Sequence, residues 1–154
     1  VFHNDKKLHA SNASPQTEGE IMKNIPETHL NLLTNENKAF LFLATLMPGG
    51  TPQATPVWFN TDGEYILVNS AKGRVKDHNM RARPHVALCI QDPSNPYRYL
   101  QIHGTVVEYT TDGADDHIDA LAFKYQGVPK YPFRQPGEQR VKYKIRIEKI
   151  DAHG

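Results

Sequence analysis

Between Lys72 and Arg83 the sequence places five cations, Lys72, Arg74, Lys76, Arg81 and Arg83, in twelve residues. The small polar side chains of Asn69 and Ser70 come just before them, and Gly73 opens a helical pattern. A strand end feeding a helix start offers free backbone N–H groups and the positive end of the helix dipole. Arg74 adds a bidentate fork and Lys76 a point charge. Together these groups can hold a phosphate. A solvated helix face would carry the same charges, and composition alone leaves the two readings level.

Other chemistry has less support. The eight histidines are scattered, and no pair has metal-ligand spacing with a nearby carboxylate, so no metal site is expected. His103, beside Gly104, reads as a partly buried, hydrogen-bonded strand residue. The single Cys89 alternates within an apolar run and reads as a buried structural thiol. It excludes an intramolecular disulfide framework and suits a reducing compartment. Ser70 lacks the Gly-x-Ser-x-Gly elbow of a hydrolase, and neither Gly-x-Gly-x-x-Gly nor a Walker loop occurs. No residue stands out as catalytic. Trp58, Phe59, Tyr97 and Tyr99 read as core or interface packing, with a slot for a flat aromatic ligand as the alternative.

The elements that must position the basic segment follow from periodicity. Pro26 opens a short helix to about Asn35. Ala39–Met47 is apolar on both alternating faces, and the Pro-Gly-Gly-Thr-Pro stop after it makes it a strand and hairpin. Gln53–Asn60 is the return strand and Glu64–Asn69 the third. Gly73–Ala82 is a short helix with Val75, His78 and Ala82 on one face, ended by Pro84. His85–Gln91 and Tyr97–Tyr109 are strands. Gly104 within the second marks a bulge or a close approach by another group. Asp112–Gln126 is a helix with Ile118, Leu121, Ala122 and Tyr125 on one side. In the last strand Val141, Tyr143, Ile145 and Ile147 alternate with charged residues. The expected fold is mainly β: six antiparallel strands closed into a small barrel, with a few short helices, because closure removes exposed edges.

The bulk properties agree with that scale. A chain of 154 residues fits one domain, expected over residues 24–154, and residues 1–23 are polar and aperiodic, as in a flexible arm. A net charge of +1 argues against nucleic acid as partner. No run approaches the roughly 18 apolar residues of a membrane helix. A soluble cytoplasmic protein is the expectation.

Four stretches carry a resemblance. They are Phe42–Phe59, with Gly-Thr-Pro-Gln-Ala-Thr-Pro-Val-Trp-Phe at its end; Tyr65–Ser70; Gly73–Leu88; and Leu100–Val106. In this order they resemble the flavin- and deazaflavin-binding split β-barrel superfamily of pyridoxamine 5′-phosphate oxidase, a Greek-key fold, over about Ala39 to Ile150. The spacing of Arg74, Lys76 and Asn79 is most similar to the subgroup that binds the deazaflavin coenzyme F420. Pyridoxamine phosphate oxidases proper usually carry adjacent Arg-Lys where this chain has Val75-Lys76. The resemblance implies an oxidoreductase that transfers hydride between F420 and a small organic substrate. An FMN-dependent enzyme of the same fold and a non-catalytic flavin or haem-type binder are the alternatives. It further implies that Arg74, Lys76 and Asn79 hold the cofactor's phosphate or carboxylates and that Asn69, Ser70, Ala71 and Lys72 continue the cradle. Gln53, Thr55 and Val57 would face the ring. A homodimer with the cofactor at the subunit interface is implied, Tyr97, Tyr99 and the Pro129–Pro136 loop reaching in from the partner chain. Arg81 and Arg83 are expected to be solvated.

Overall fold

The computed structural model describes residues 24–154; the stretch read as an arm, 1–23, lies outside the described residues. A 3-10 helix, Glu27–Leu33, precedes β1 (Phe40–Leu46), β2 (Pro52–Val57), β3 (Phe59–Thr61) and β4 (Ile66–Ala71). Helix α1 (Val75–Ala82), β5 (His85–Asp92), β6 (Asn95–Thr110), helix α2 (Ala114–Gln126) and β7 (Arg140–His153) complete the chain. The strands form one antiparallel sheet in the order β2-β1-β5-β6-β7-β4-β3. This is the expected split β-barrel, with seven strands instead of six.

The extra strand comes from a corner. The expected strand Gln53–Asn60 breaks at Trp58 into β2 and β3, which stand at opposite ends of the sheet order. Val57 and Phe59 flank a single residue, so their Cα atoms are at most about 7 Å apart. The sheet must therefore curl until its two edges meet there. Residues up to Val57 pair with β1 and residues from Phe59 pair with β4, and the chain turns between them. Helix α2 pins the turn. Lys124 Nζ donates to Phe59 O at 2.7 Å, and Tyr125 Oη donates to Ala39 O at 2.8 Å while the Phe59 N–H points at it from 3.4 Å. The Trp58 ring stacks on Tyr125 with centroids 5.4 Å apart and planes 7° apart. Burial pushes the Lys124 ammonium down to about 8, with Glu36 opposing. The Phe59 ring face, 4.1 Å from Nζ, gives this buried cation a partner.

The core lies inside the curl. Leu41, Leu43, Phe59, Ile66, Val68, Leu88, Ile90, Leu100, Ile102, Tyr143 and Ile145 are buried there. The 3-10 helix adds Leu32 and Leu33 near the end of β5 and the start of β6. Helix α1 sits at the opposite end of these strands. Its Met80 enters the core, Asn79 Nδ2 donates to Thr45 Oγ1 at 3.0 Å, and Tyr143 Oη donates to Asp77. The expected apolar face of α1 is not the buried one: Val75 is exposed, and Asp77, Asn79 and Met80 are covered. Tertiary hydrogen bonds to β1 and β7, not apolar periodicity, set its rotation. Among the described residues no helix is long and apolar enough to cross a membrane.

Two strand readings also change. His103 is exposed on β6, and Cys89 is half-buried, because both lie on the outer side of the sheet, out of phase with Leu88, Ile90 and Ile102. Gly104 fulfils both expectations. The register between β6 and β7 shifts beside it, and a Cβ there would meet Ile145 Cγ2 at 2.7 Å and Arg146 O at 3.0 Å. Gly104→Ala should destabilise the fold by about 1–3 kcal/mol, measured by urea unfolding. Gly49→Ala, at a position open to solvent, should stay within about 0.5 kcal/mol of the parent. Equal stabilities for the two variants would contradict this packing.

Candidate functional site

A cavity of about 400 Å³ opens beside the corner, a size that suits a small organic ligand. One wall is the turn itself, Pro56, Val57 and Trp58, with Phe40 from the start of β1. Ile118 and Leu121 of α2 form the floor, and Tyr131 and Phe133 come from the loop that leads to β7. The polar end is built by Asn69 and Ser70 of β4, Arg74 and Lys76 at the start of α1, and Arg140 at the start of β7.

Local chemistry places the two α1 cations. Gly73 has φ +90°, which glycine adopts without strain, and this turns the chain sharply from β4 into the helix. Asp77 then reaches back from the first turn and accepts the Gly73 N–H at 2.9 Å and Arg81 Nε at 2.8 Å. Burial works against the Asp77 carboxylate, but the bonds from Gly73, Tyr143 and Arg81 outweigh it and hold its pKa below the ordinary range. Arg74 and Lys76 are left at the helix start. Neither forms an ion pair among the described residues. The acid of this corner, Glu138, is already bonded by Arg140 and by the Gln135 N–H. Burial lowers the Lys76 pKa, and the charges of Arg74 and Arg140 lower it further. Ser70 Oγ is buried, belongs to a residue that lines the cavity, and has no hydrogen-bond partner among the described residues. Unpaired cations beside an unsatisfied buried hydroxyl make a site that favours an oxyanion.

The residues singled out from sequence divide three ways. Val57, Asn69, Ser70, Arg74 and Lys76 line the cavity. Gln53 and Thr55 share the half-buried face of β2 with Val57 but lie farther along the strand, and Ala71 is buried beside Ser70. Lys72 is exposed next to the site. Asn79 is turned away: its amide bonds Thr45 and Met47 Sδ and receives Arg83 at 3.2 Å. Arg81 and Arg83, expected to be solvated, are engaged: Arg81 pairs with Asp77 and covers the Tyr109 ring, and Arg83 Nε donates to Leu46 O. Tyr97 is 83% exposed, Tyr99 stacks on His153, and neither lines the cavity.

Sequence reasoning missed Arg140, Tyr131 and Phe133 as parts of this chain's own site. Arg140 reads as one more polar residue before an alternating strand. The loop gave a signal in its three prolines, yet nothing local says which wall it joins. Asp119 decides that, accepting the Tyr131 N–H at 2.8 Å and Arg134 Nη2 at 3.0 Å. Among the described residues no group of three or more His, Cys, Asp or Glu side chains converges as for a metal.

The sequence pattern of the family described as pyridoxamine 5′-phosphate oxidase matches residues 25–154. A solved structure described as an F420 reductase is 33% identical, with 82% of this chain and 98% of that chain covered and a TM-score of 0.73. A candidate pyridoxamine 5′-phosphate oxidase from Listeria innocua is 22% identical over 81% of this chain and 94% of its own, with a TM-score of 0.61. A conserved hypothetical protein from Mycobacterium tuberculosis is 19% identical over 84% of each chain, with a TM-score of 0.63. These last two show the fold alone. No curated protein matches the sequence. The chain belongs to the pyridoxamine 5′-phosphate oxidase family of split β-barrels.

Lys76 gives the site a pH signature. An anion bound beside it restores its pKa toward the ordinary lysine value, so affinity is full while the free site is protonated and falls as pH rises through the lowered pKa. Calorimetry with inorganic phosphate between about pH 7 and about pH 10 should show this fall in the parent. In Lys76→Arg, whose guanidinium stays charged, it should be flattened. Equal pH profiles would assign the anion to other groups.

Proposed function

We propose that this member of the pyridoxamine 5′-phosphate oxidase family is an oxidoreductase that binds the deazaflavin coenzyme F420 and transfers hydride to a small organic substrate. The observation that carries the reading is the pairing of unpartnered Arg74 and Lys76 at one end of the cavity with an aromatic wall at the other, in a chain 33% identical to an F420 reductase. The residues fit such a group. Arg74, Lys76 and the Ser70 hydroxyl would bind its phosphate, while Trp58, Tyr131 and Val57 would flank its ring. The cofactor would supply the two-electron chemistry. The protein's part is to orient and to keep water out. Ile118 and Leu121 present an apolar floor, and the Trp58–Tyr125 stack holds the wall rigid.

The family match also supports FMN as the group bound, since FMN carries a phosphate and a flat ring of similar shape. Absorbance titration of the purified protein with each cofactor separates the two. F420 binding without FMN binding is the expected result, and FMN co-purifying with the protein would reverse the order. Arg74→Ala with Lys76→Ala should weaken F420 binding by about 3 kcal/mol through loss of charge-assisted bonds, and an unchanged dissociation constant would sink the phosphate assignment.

We further propose that the active form is a homodimer whose interface adjoins the cavity. Phe40 and Phe42 are 47% and 40% exposed on the outer face of β1, with Ala44, Ala87 and Cys89 beside them. Phe40 belongs to this face and to the cavity wall. Sedimentation of the native chain should give a dimer and Phe42→Asp a monomer; a native monomer would overturn the proposal.

A further inference from the structure

A chain of polar contacts runs behind the cavity, from β3 through α2 and β4 to β7. His117 of α2 is buried. Its Nε2 lies 2.9 Å from Asn60 Oδ1, and its Nδ1 lies 3.1 Å from Asn69 Nδ2. Asn69 Nδ2 also donates to Ala114 O at 2.9 Å, and Asn69 Oδ1 accepts Arg140 Nε at 2.8 Å. The polarity of this chain has one solution. Ala114 O can only accept, so the Asn69 nitrogen must face it and the Asn69 oxygen must face Arg140. His117 Nδ1 then meets an N–H and must be the acceptor. The ring proton sits on Nε2 and is donated to Asn60.

We propose that His117 is a positioning residue: as the neutral Nε2–H tautomer it fixes the Asn69 amide, and through it the Arg140 guanidinium that closes the cationic end of the cavity. Arg140 has two other tethers, the Glu138 carboxylate and the face of Tyr131, 5.2 Å away. Neither fixes the guanidinium's direction toward β4; Asn69 does. A proton on Nδ1 would set it against the Asn69 N–H groups. The fold opposes that proton, because burial, with Lys142 and Arg140 adding to it from β7, pushes the imidazole down to about 4.

The idea rests on the reading of this cavity as a phosphate site, and the experiment separates the two. Nitrogen-15 spectra of the native protein at neutral pH should show His117 neutral with its proton on Nε2; a proton on Nδ1, or a charged ring, overturns the proposal without any ligand. Binding of inorganic phosphate is then compared in His117→Phe, which removes the acceptor, and His117→Asn, whose carboxamide oxygen can accept from Asn69. His117→Phe should bind about tenfold more weakly, with His117→Asn recovering most of the loss. Phosphate failing to bind the native chain overturns the phosphate site itself. Native binding with His117→Phe unchanged, or with both folded variants impaired equally, overturns the positioning role.

Discussion

The protein is organised by a closure. Strands β2 and β3 occupy the two free edges of one sheet, and a single residue, Trp58, joins them. Chain connectivity therefore forces the edges together at one end, whatever the rest of the sheet does. Lys124 and Tyr125 hold that corner through backbone atoms of Phe59 and Ala39, and the Trp58 and Phe59 rings pack against the same two side chains. The cavity opens beside this corner, with Pro56, Val57 and Trp58 as one wall. Its wall, floor and polar end come from segments that meet only because the sheet is curled.

The short helix α1 carries the electrostatic cost of the site. A helix start favours anions, yet this one presents Arg74 and Lys76. Their charges add to the dipole's positive end, and neither forms an ion pair among the described residues. Asp77, the acid of the first turn, is turned inward to Gly73, Tyr143 and Arg81. It anchors the helix while leaving the outward field positive. Such an arrangement is paid for by tertiary bonds to β1 and β7, and a bound oxyanion would relieve it. The same division of labour appears at β7, where Glu138 bonds Arg140 and forms no ion pair with Arg74 or Lys76. The aromatic loop is held from below by Asp119 on α2, so the helix that pins the corner also sets the ring wall.

The strands, the hairpin after β1, the two helices and the tight approach at Gly104 were legible in the sequence because each has a local cause: period-two alternation, turn residues, a missing side chain. The basic segment was legible as a candidate anion site, and Val57, Asn69, Ser70, Arg74 and Lys76 do line one cavity. The face of α1 was not legible. Val75 looks apolar in one dimension, but the bonds that Asp77 accepts from Tyr143 and Asn79 donates to Thr45 rotate it outward. Asn79 and Arg83 share a motif with the cavity-lining cations, yet they serve the anchor of the helix.

What the sequence by itself determined is therefore the inventory: a small antiparallel β-fold, a cation-rich strand-to-helix turn, and an apolar remainder sufficient for a core. Which of those cations line the cavity was decided only by tertiary structure. So were the break of one strand at Trp58, the addition of Arg140 and Tyr131 to the site, and the burial of His117 behind it. The physical reason is common to all four. Periodicity reports neighbours along the chain, whereas these outcomes depend on tertiary partners such as Thr45 for Asn79, Ala39 for Tyr125 and Asn69 for Arg140, which lie 34, 86 and 71 residues apart.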